Sequence, residues 1–346
     1  MIFRSLFRKR RYFASLSDGA DPFQVEPNET ILEAALRNGL AYPHDCTVGT
    51  CGTCRSKLMS GSVEAITPFG YALSQEEIKD GYILACQALP QSDVELSVEL
   101  ERANVSEVVA VIQECEDLTH DIKRVVFNLD SPIDYVAGQY FNIRWPGLPD
   151  WRSYSFARGP EQGGSTNIVS FVRKVPGGAF TERLFTEDLQ GLRFEIEGPH
   201  GSFWLREADG PILLIGGGSG LAPLMSVLED ALSKGIERDA ILLFGARTEA
   251  DLYCLAEIAD LSRKWRVQFE FRPFLSEQRS DDFPFGPVTE GIKHAIKELG
   301  GIEHLQAYLC GPPGMIDAAL ALLVDQSIPV DRIFYDKFTD ASHSSS

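Results

Sequence analysis

The sequence predicts a multidomain protein of the α+β and α/β classes, built from three successive segments. Three observations support this prediction. The 346 residues exceed what one ordinary hydrophobic core holds. The middle of the chain contains strand-like runs only, whereas apolar strands alternate with helical stretches in the C-terminal part. The segment before both has short strands around a single helix and a compact group of cysteines.

The first segment contains one well-marked helix. Thr30 precedes the apolar stripe ILEAALRNG, and Glu33 follows three residues later, which is the pattern of a capping box. Gly39 is expected to end this helix. The alternating run VELSVEL at 94–100 predicts the last strand of the segment.

The middle segment predicts a small closed antiparallel β-barrel, because five strand-like runs follow one another with Gly, Pro and Asp turns between them. These runs lie at 108–115, 122–129, 140–145, 152–157 and 168–175.

The C-terminal segment predicts a parallel sheet with helices on both faces, because its apolar strands alternate with helical stretches. The predicted strands lie at 212–218, 240–246, 267–274 and 307–313.

We therefore divide the chain into two terminal tails and three domains. The predicted divisions are a basic tail at 1–20, domains at 21–101, 102–206 and 207–340, and a disordered tail at 341–346.

Composition restricts the possible function. Apolar residues make up 44% and charged residues 24% of the chain, as in soluble globular proteins. No apolar run reaches the roughly 18–20 residues that a membrane helix needs. A net charge of −18 argues against nucleic-acid binding, which requires a basic surface, so we expect no nucleic-acid partner.

The N-terminus departs from this acidic balance. Residues 1–13 contain no acidic side chain and five basic ones, which are Arg4, Arg8, Lys9, Arg10 and Arg11. A secretory signal peptide would need a longer apolar stretch after the charges. Three interpretations stay open: a disordered tail, a helix on anionic lipid or on a membrane-bound partner, and an organelle transit peptide. We expect a cytoplasmic protein, with peripheral contact at the inner face of the membrane under the second interpretation.

Four of the seven cysteines have the spacing of a plant-type 2Fe–2S centre, C-x4-C-x2-C followed by a distant cysteine. They are Cys46, Cys51, Cys54 and Cys86. The absence of a signal peptide indicates a reducing compartment, where ligands are more common than disulfides. Zinc is the alternative, although structural zinc usually takes two close ligand pairs.

The glycines between these cysteines, and two cysteines later in the chain, have other expected roles. Gly49 and Gly52 are expected to let main-chain N–H groups approach the sulfurs. Cys115 and Cys254 lack the ligand spacing and are expected to be small core residues.

The run GTCGTCRSKLMSG at 49–61, with Cys46 before it and Cys86 after it, resembles the ferredoxin domain of bacterial oxygenase reductases. The similarity continues over about residues 22–340 and indicates the ferredoxin–NADP reductase superfamily. It implies a β-grasp ferredoxin domain, an FAD-binding barrel and a nicotinamide-binding α/β domain, in that order.

The barrel carries two motifs that resemble flavin contacts of this superfamily. The run 152–155 resembles R-x-Y-S, which implies that Arg152 pairs with a pyrophosphate, Tyr154 covers the flavin and the Ser155 hydroxyl bonds near its reactive nitrogen. GGAFT at 177–181 resembles a second phosphate contact. The remaining predicted flavin contacts are Phe156, Gly178, Thr181 and the late aromatic Phe338.

A strand, a glycine turn and a helix at 212–229 predict a pyrophosphate site at a helix N-terminus. The spacing departs from G-x-G-x-x-G, because Pro223 stands where the third glycine would be; it resembles the GGxG-x-AP form of the superfamily. The predicted contacts are Gly216, Gly218, Ser219, Gly220 and Pro223.

Two later strand ends complete the predicted coenzyme site. They carry Ala246 and Arg247, and then Cys310, Gly311 and Pro312, where the family places the nicotinamide against the flavin. The resemblance implies that Ser155 and Cys310 are the catalytic residues. Arg247 favours NADPH, whereas the acidic residues after it favour NADH. Because GAR-x3-DLYC resembles NADH enzymes, we expect NADH, with NADPH as the alternative.

A nicotinamide releases two electrons as hydride and an iron–sulfur cluster accepts one, so a flavin must stand between them. We predict an oxidoreductase that passes electrons from NADH to FAD, to the 2Fe–2S cluster and to a non-haem iron hydroxylase. The resemblance is to the reductases of xylene, toluene, phenol and benzoate oxygenases. A membrane-bound hydroxylase would give the basic N-terminus a purpose.

Two alternatives remain for the function. One is a reductase for another iron–sulfur enzyme, such as a deoxysugar dehydratase. The other is a non-catalytic electron carrier or zinc-binding module.

Overall fold

The computed structural model describes residues 11–17, 21–38, 40, 42–44, 49, 52–71, 73, 75–98, 105–147, 151–329 and 332–338. The chain forms two compact units, Met1–Arg102 and Ala103–Ser346. No helix of the described part is both long and apolar enough to cross a membrane.

The first unit is a mixed sheet that packs on one helix. Its elements are β1 (Tyr12–Leu16), β2 (Phe23–Val25), α1 (Ile31–Arg37), β3 (Arg55–Ser60), β4 (Val63–Ala65), α2 (Gln75–Lys79), β5 (Tyr82–Leu84), β6 (Ala88–Pro90) and β7 (Val94–Ser97). The main sheet has the order β2-β1-β7-β3-β5, with β1 and β7 parallel, and β4 pairs with β6 separately. Helix α1 buries its apolar stripe in the core of this unit, as the β-grasp prediction requires.

Strand β1 corrects the predicted N-terminal tail. Tyr12 pairs with Val25 across β1 and β2, and Ala14 is fully buried. The alternation of apolar side chains in YFASL was hidden by the basic residues before it. Residues 1–10 of the predicted tail lie outside the described residues.

The capping box predicted for α1 is confirmed. Thr30 Oγ1 accepts a hydrogen bond from the Glu33 N–H at 3.2 Å, and the Glu33 carboxylate accepts one from the Thr30 N–H at 2.8 Å. The helix begins at Ile31 because these two bonds satisfy main-chain donors that lack a helical partner.

The first part of the second unit is an antiparallel barrel. Its elements are β8 (Ser106–Asp117), β9 (Ile122–Ile133), β10 (Tyr140–Arg144), β11 (Trp151–Ser155), β12 (Ser165–Arg173), α3 (Ala179–Thr186) and β13 (Arg193–His200). The sheet order is β11-β10-β13-β8-β9-β12. The Ala157 N–H donates to Val169 O at 2.8 Å and Ser170 Oγ donates to Ser155 O at 2.9 Å. These bonds bring β11 beside β12 and confirm the predicted closure.

The second part of this unit is the predicted parallel sheet with helices. Its elements are β14 (Ile212–Gly217), α4 (Leu221–Ser233), β15 (Ala240–Ala246), α5 (Leu255–Lys264), β16 (Phe269–Leu275), α6 (Ile292–Glu298), β17 (Gln306–Gly311), α7 (Pro313–Asp325) and β18 (Ile333–Lys337). The order is β16-β15-β14-β17-β18. The chain therefore reverses direction across the sheet between β14 and β17, the place where such sheets bind ligands.

Charged side chains join the barrel to the parallel sheet. Arg124 on β9 pairs with Glu257 on α5, and Arg158 pairs with Glu229 on α4 at 2.6 Å. The Ser226 hydroxyl donates to Arg158 O at 2.5 Å. Since these contacts connect residues distant in sequence, the two parts form one compact unit.

The Thr30→Ala substitution should lower the local stability of α1 by about 1 kcal/mol, because the cap hydroxyl is lost. Hydrogen exchange of the α1 amides in the folded chain measures this local opening. Thr30→Ser is the matched control, because it keeps the hydroxyl and should preserve most of the protection. Equal protection in the alanine and serine variants would show that the cap does not stabilise the helix.

Candidate cofactor sites

Two of the four predicted cluster cysteines lie in the described part of the first unit, and both are buried. Cys54 precedes β3, and Cys86 lies in a short 3-10 turn between β5 and β6. The Cys86 N–H donates to Cys54 Sγ at 3.5 Å, so the two thiol groups share one site. Cys46 and Cys51 lie outside the described residues.

Glycine conformation shapes the same site. Gly49 has φ +82°, and a Cβ there would lie 2.6 Å from Gln87 Cγ. A side chain at position 49 would therefore displace the residue that follows Cys86. Two buried thiols, with a main-chain N–H directed at one sulfur, fit an iron–sulfur cluster, whose sulfurs commonly accept such bonds.

The two cysteines that were predicted to be core residues differ in burial. Cys254 is buried, as predicted, but Cys115 is exposed, so its predicted core position is wrong. The pairing of β8 with β9 shifts register between Ile112 and Glu114. Beyond this shift, residues 113–117 of β8 are all exposed, and the apolar run at 108–115 does not reveal that its last part leaves the core.

The two predicted flavin motifs lie together in the barrel. The Tyr154 ring on β11 packs against the Phe180 ring of α3, with centroids 5.4 Å apart. Burial raises the pKa of the Tyr154 phenol, so it stays protonated. Arg152 is exposed on the same strand, and Ser155 is buried at its end.

Two predicted flavin residues have structural contacts that the sequence did not indicate. The Phe156 ring is fully buried and stacks on Tyr135, with centroids 3.8 Å apart, so it belongs to the barrel core. Thr181 Oγ1 accepts from the Val175 N–H at 3.0 Å and donates to Val175 O at 3.2 Å. This hydroxyl thus holds the turn before α3, where Gly178 is the N-cap.

In the parallel sheet, glycines allow two strand ends to approach closely. A Cβ at Gly220 would lie 2.2 Å from Cys310 O, and one at Gly311 would lie 2.8 Å from Gly217 O. Only glycine fits at these positions, so the turn after β14 packs on the end of β17. The Phe338 N–H donates to Gly311 O at 2.9 Å, which brings the late aromatic residue to the same strand end.

Other residues of the predicted coenzyme motif have different exposures. Gly216 and Pro223 are buried, in β14 and in the first turn of α4, whereas Ser219 is half-buried in the turn between them. The Cys310 side chain is fully buried. Burial, together with Asp336, raises the pKa of its thiol well above the usual value, so it stays protonated.

A cleft of about 370 Å³ lies at the reversal point of the sheet. Four predicted residues line it, namely Gly218, Ala246, Arg247 and Pro312. The barrel contributes Asp121 and Arg173 to the same cleft, and sequence reasoning missed both. Asp121 lies in the β8–β9 turn, far along the chain, and no local motif marks it.

Ion pairs cross this cleft. Arg247 Nη2 donates to Asp121 Oδ2 at 3.0 Å and to Asp251 Oδ1 at 2.9 Å, and Arg173 Nε donates to Asp121 Oδ2 at 3.2 Å. Partial burial opposes the charge of Arg247, but the bonds to Asp251 and Asp121 raise its pKa above the ordinary value. The guanidinium is therefore held between two carboxylates.

Comparisons with known proteins agree with this arrangement. Residues 18–91 match the 2Fe-2S iron-sulfur cluster binding domain family. Residues 109–204 match the oxidoreductase FAD-binding domain family, and residues 214–320 match the oxidoreductase NAD-binding domain family. The predicted kinds and order of domains are confirmed, and the match of the first segment favours the iron–sulfur prediction over zinc.

The chain is similar over nearly its whole length to curated reductases. It is 39% identical to the xylene/toluene monooxygenase electron transfer component XylA of Pseudomonas putida, covering 91% of this chain and 90% of that one. It is 32% identical to the phenol 2-monooxygenase reductase component DmpP of Pseudomonas sp., covering 96% and 95%.

A solved structure is similar over nearly the whole chain. The Amycolatopsis cytochrome P450 reductase GcoB is 34% identical, with a TM-score of 0.71, and the match covers 95% of this chain and 99% of that one. The chain therefore belongs to the family of oxygenase reductase components, oxidoreductases of the ferredoxin reductase type with 2Fe-2S, FAD-binding and NAD-binding domains.

Proposed function

We propose that this protein takes hydride from NADH and delivers single electrons to the hydroxylase component of an aromatic or hydrocarbon oxygenase. The observation that carries the proposal is the cleft at the sheet reversal, which residues of the barrel and of the parallel sheet line together. A dinucleotide in this cleft would lie beside the barrel that carries both flavin motifs. The relatives named above act with monooxygenases, which supports the class of partner.

The residues of the barrel would hold FAD by complementary charge and shape. Arg152 would pair with the pyrophosphate, and the main-chain N–H groups of the first turn of α3 would bind a phosphate oxygen. The Tyr154 ring would cover the flavin, while Ser155 would donate to it. Bound FAD supplies the conversion of a two-electron hydride into single electrons.

The predicted cluster ligands are Cys46, Cys51, Cys54 and Cys86. Burial of Cys54 and Cys86 keeps water from their sulfurs, and the Cys86 N–H that donates to Cys54 Sγ would help to set the potential of a cluster held there.

The charges of the cleft favour NADH over NADPH. Arg247 could bind a 2′-phosphate, but Asp121 and Asp251 already hold it. Asp121 also holds Arg173, the other arginine of the cleft. A 2′-phosphate would have to displace these carboxylates and would face their negative charge. A ribose 2′-hydroxyl can donate to a carboxylate instead.

The acceptor has a second candidate. An Amycolatopsis relative that is 35% identical is named as the reductase subunit of an aromatic O-demethylase, and the similar solved structure is named as a cytochrome P450 reductase. A haem oxygenase is therefore an alternative to the predicted non-haem iron hydroxylase. Turnover with each purified oxygenase component distinguishes the two.

Replacing Cys54 by alanine should separate the two halves of the electron path. Anaerobic NADH should still bleach the flavin absorbance and support ferricyanide reduction, whereas cytochrome c reduction should fall by more than about tenfold because a cluster ligand is missing. The wild-type protein should show bleaching of both flavin and cluster. Cys115→Ala is the control, since this exposed cysteine lies on the other unit. Undiminished cytochrome c reduction in Cys54→Ala would reject the proposed path.

Asp121→Asn should weaken the discrimination between coenzymes. This change removes the charge of one carboxylate that pairs with Arg247. The kcat/KM for NADPH should then rise by up to about fivefold, which corresponds to the energy of a partly exposed ion pair, and kcat/KM for NADH should change less. Steady-state kinetics with both coenzymes measure this ratio.

Asp117→Asn is the control for this experiment, because Asp117 is exposed near the same turn and pairs with Lys123 at 2.6 Å. Equal changes for NADH and NADPH in Asp121→Asn would contradict the proposed role of the ion pairs.

For the N-terminus we propose peripheral contact of its basic residues with anionic lipid. A deletion should stop at residue 10, because Arg11 pairs with Glu26 at 2.9 Å and Tyr12 begins β1. Loss of four of the five basic residues should reduce co-sedimentation with phosphatidylglycerol vesicles at low salt. Phosphatidylcholine vesicles are the control. Unchanged sedimentation with the anionic vesicles would reject the contact.

A further inference from the structure

A buried side-chain amide lies directly beside Cys86. Gln87 follows this cysteine in the 3-10 turn, and its side chain is 7% exposed. Gln87 Nε2 donates to Cys86 O at 2.9 Å and contacts Cys86 Sγ at 3.8 Å, which is within reach of a hydrogen bond to sulfur. The amide therefore adds a donor to the thiol site, besides the main-chain N–H directed at Cys54.

The orientation of the Gln87 amide follows from its neighbours. Thr67 Oγ1 donates to Gln87 Oε1 at 2.9 Å. If the amide were turned over, its oxygen would face the Cys86 carbonyl oxygen, and two acceptors would meet at hydrogen-bond distance. The nitrogen end of the amide is thus the one that faces the cysteine.

The fold makes room for this side chain. A Cβ at Gly49 would lie 2.6 Å from Gln87 Cγ and 3.2 Å from Thr67 Oγ1, so a larger residue would push both groups away. Gly49 belongs to the loop that carries the predicted ligands Cys46, Cys51 and Cys54. The glycine, the threonine and the glutamine therefore form one packed support behind Cys86.

We propose that Gln87 is a positioning residue whose amide donor raises the reduction potential of the 2Fe–2S centre through Cys86. The inference rests on the proposed assignment of Cys86 as a cluster ligand. One-electron reduction adds one negative charge to the cluster and its sulfurs, with no bond made or broken and no proton required. An N–H donor stabilises the more negative state, so the reduced form is favoured.

Gln87→Leu tests the proposal, because leucine is of similar size and has no donor. The midpoint potential of the cluster, from an EPR-monitored redox titration of the holoprotein, should fall. A tenfold change in the reduction equilibrium corresponds to about 59 mV for one electron, and we expect a shift of that order. Gln91→Leu is the matched control, because Gln91 is exposed and bonds Glu64 at 2.8 Å in the same unit.

Thr67→Val should shift the potential in the same direction but less, because the amide loses the donor that orients it. Thr67→Ser should restore the wild-type value. An intact cluster with an unchanged potential in Gln87→Leu would overturn the proposal.

A second measurement can be made on the wild-type protein. In holoprotein labelled with ¹⁵N at glutamine side chains, pulsed EPR of the reduced cluster should detect a coupled ¹⁵N nucleus that Gln91→Leu retains. Absence of this coupling in the wild-type protein would also overturn the proposal. If Cys86→Ser instead kept an unchanged cluster spectrum, the assignment of Cys86 as a ligand would fail, and the inference with it.

Discussion

The close approach of two strand ends constrains everything around the cleft at the reversal point of the parallel sheet. The turn after β14 can pack on the end of β17 only because Gly220 has no Cβ to meet the Cys310 carbonyl oxygen. This contact brings the glycine turn to the point where the strand order reverses. Phe338 is then anchored to Gly311 by a main-chain hydrogen bond. A larger residue at Gly220 would separate the strand ends and open the cleft between them.

The cleft also depends on the barrel, although its glycine motif lies wholly in the parallel sheet. Asp121 and Arg173 reach it from the barrel and form a chain of ion pairs with Arg247 and Asp251. Because these charges alternate in sign, little net positive potential is left to attract the 2′-phosphate of NADPH. The coenzyme preference that we propose is thus a property of both parts of the unit. The short motif after β15 therefore does not determine this preference by itself.

Several features were predictable because they require a local pattern. The run of three cysteines, the glycine turn and the capping box each lie within a short stretch of chain. The domain matches confirm the 2Fe-2S and NAD-binding kinds of domain, and the structure confirms the capping box. Predictions failed where packing decides. Cys115 lies in the exposed end of β8, and a strand begins at Tyr12 inside a segment that composition assigns to a tail.

The sequence by itself determined the kinds of domain and their order, because the cysteine spacing and the glycine turns that mark them are local properties. The tertiary structure decided which charges share a site. Asp121 reaches Arg247, and Thr67 orients Gln87, across long separations in the chain. It also decided that the Phe156 ring belongs to the core and that the Thr181 hydroxyl closes a turn. Such pairings depend on how strands and turns meet in space, and one sequence contains no signal for them.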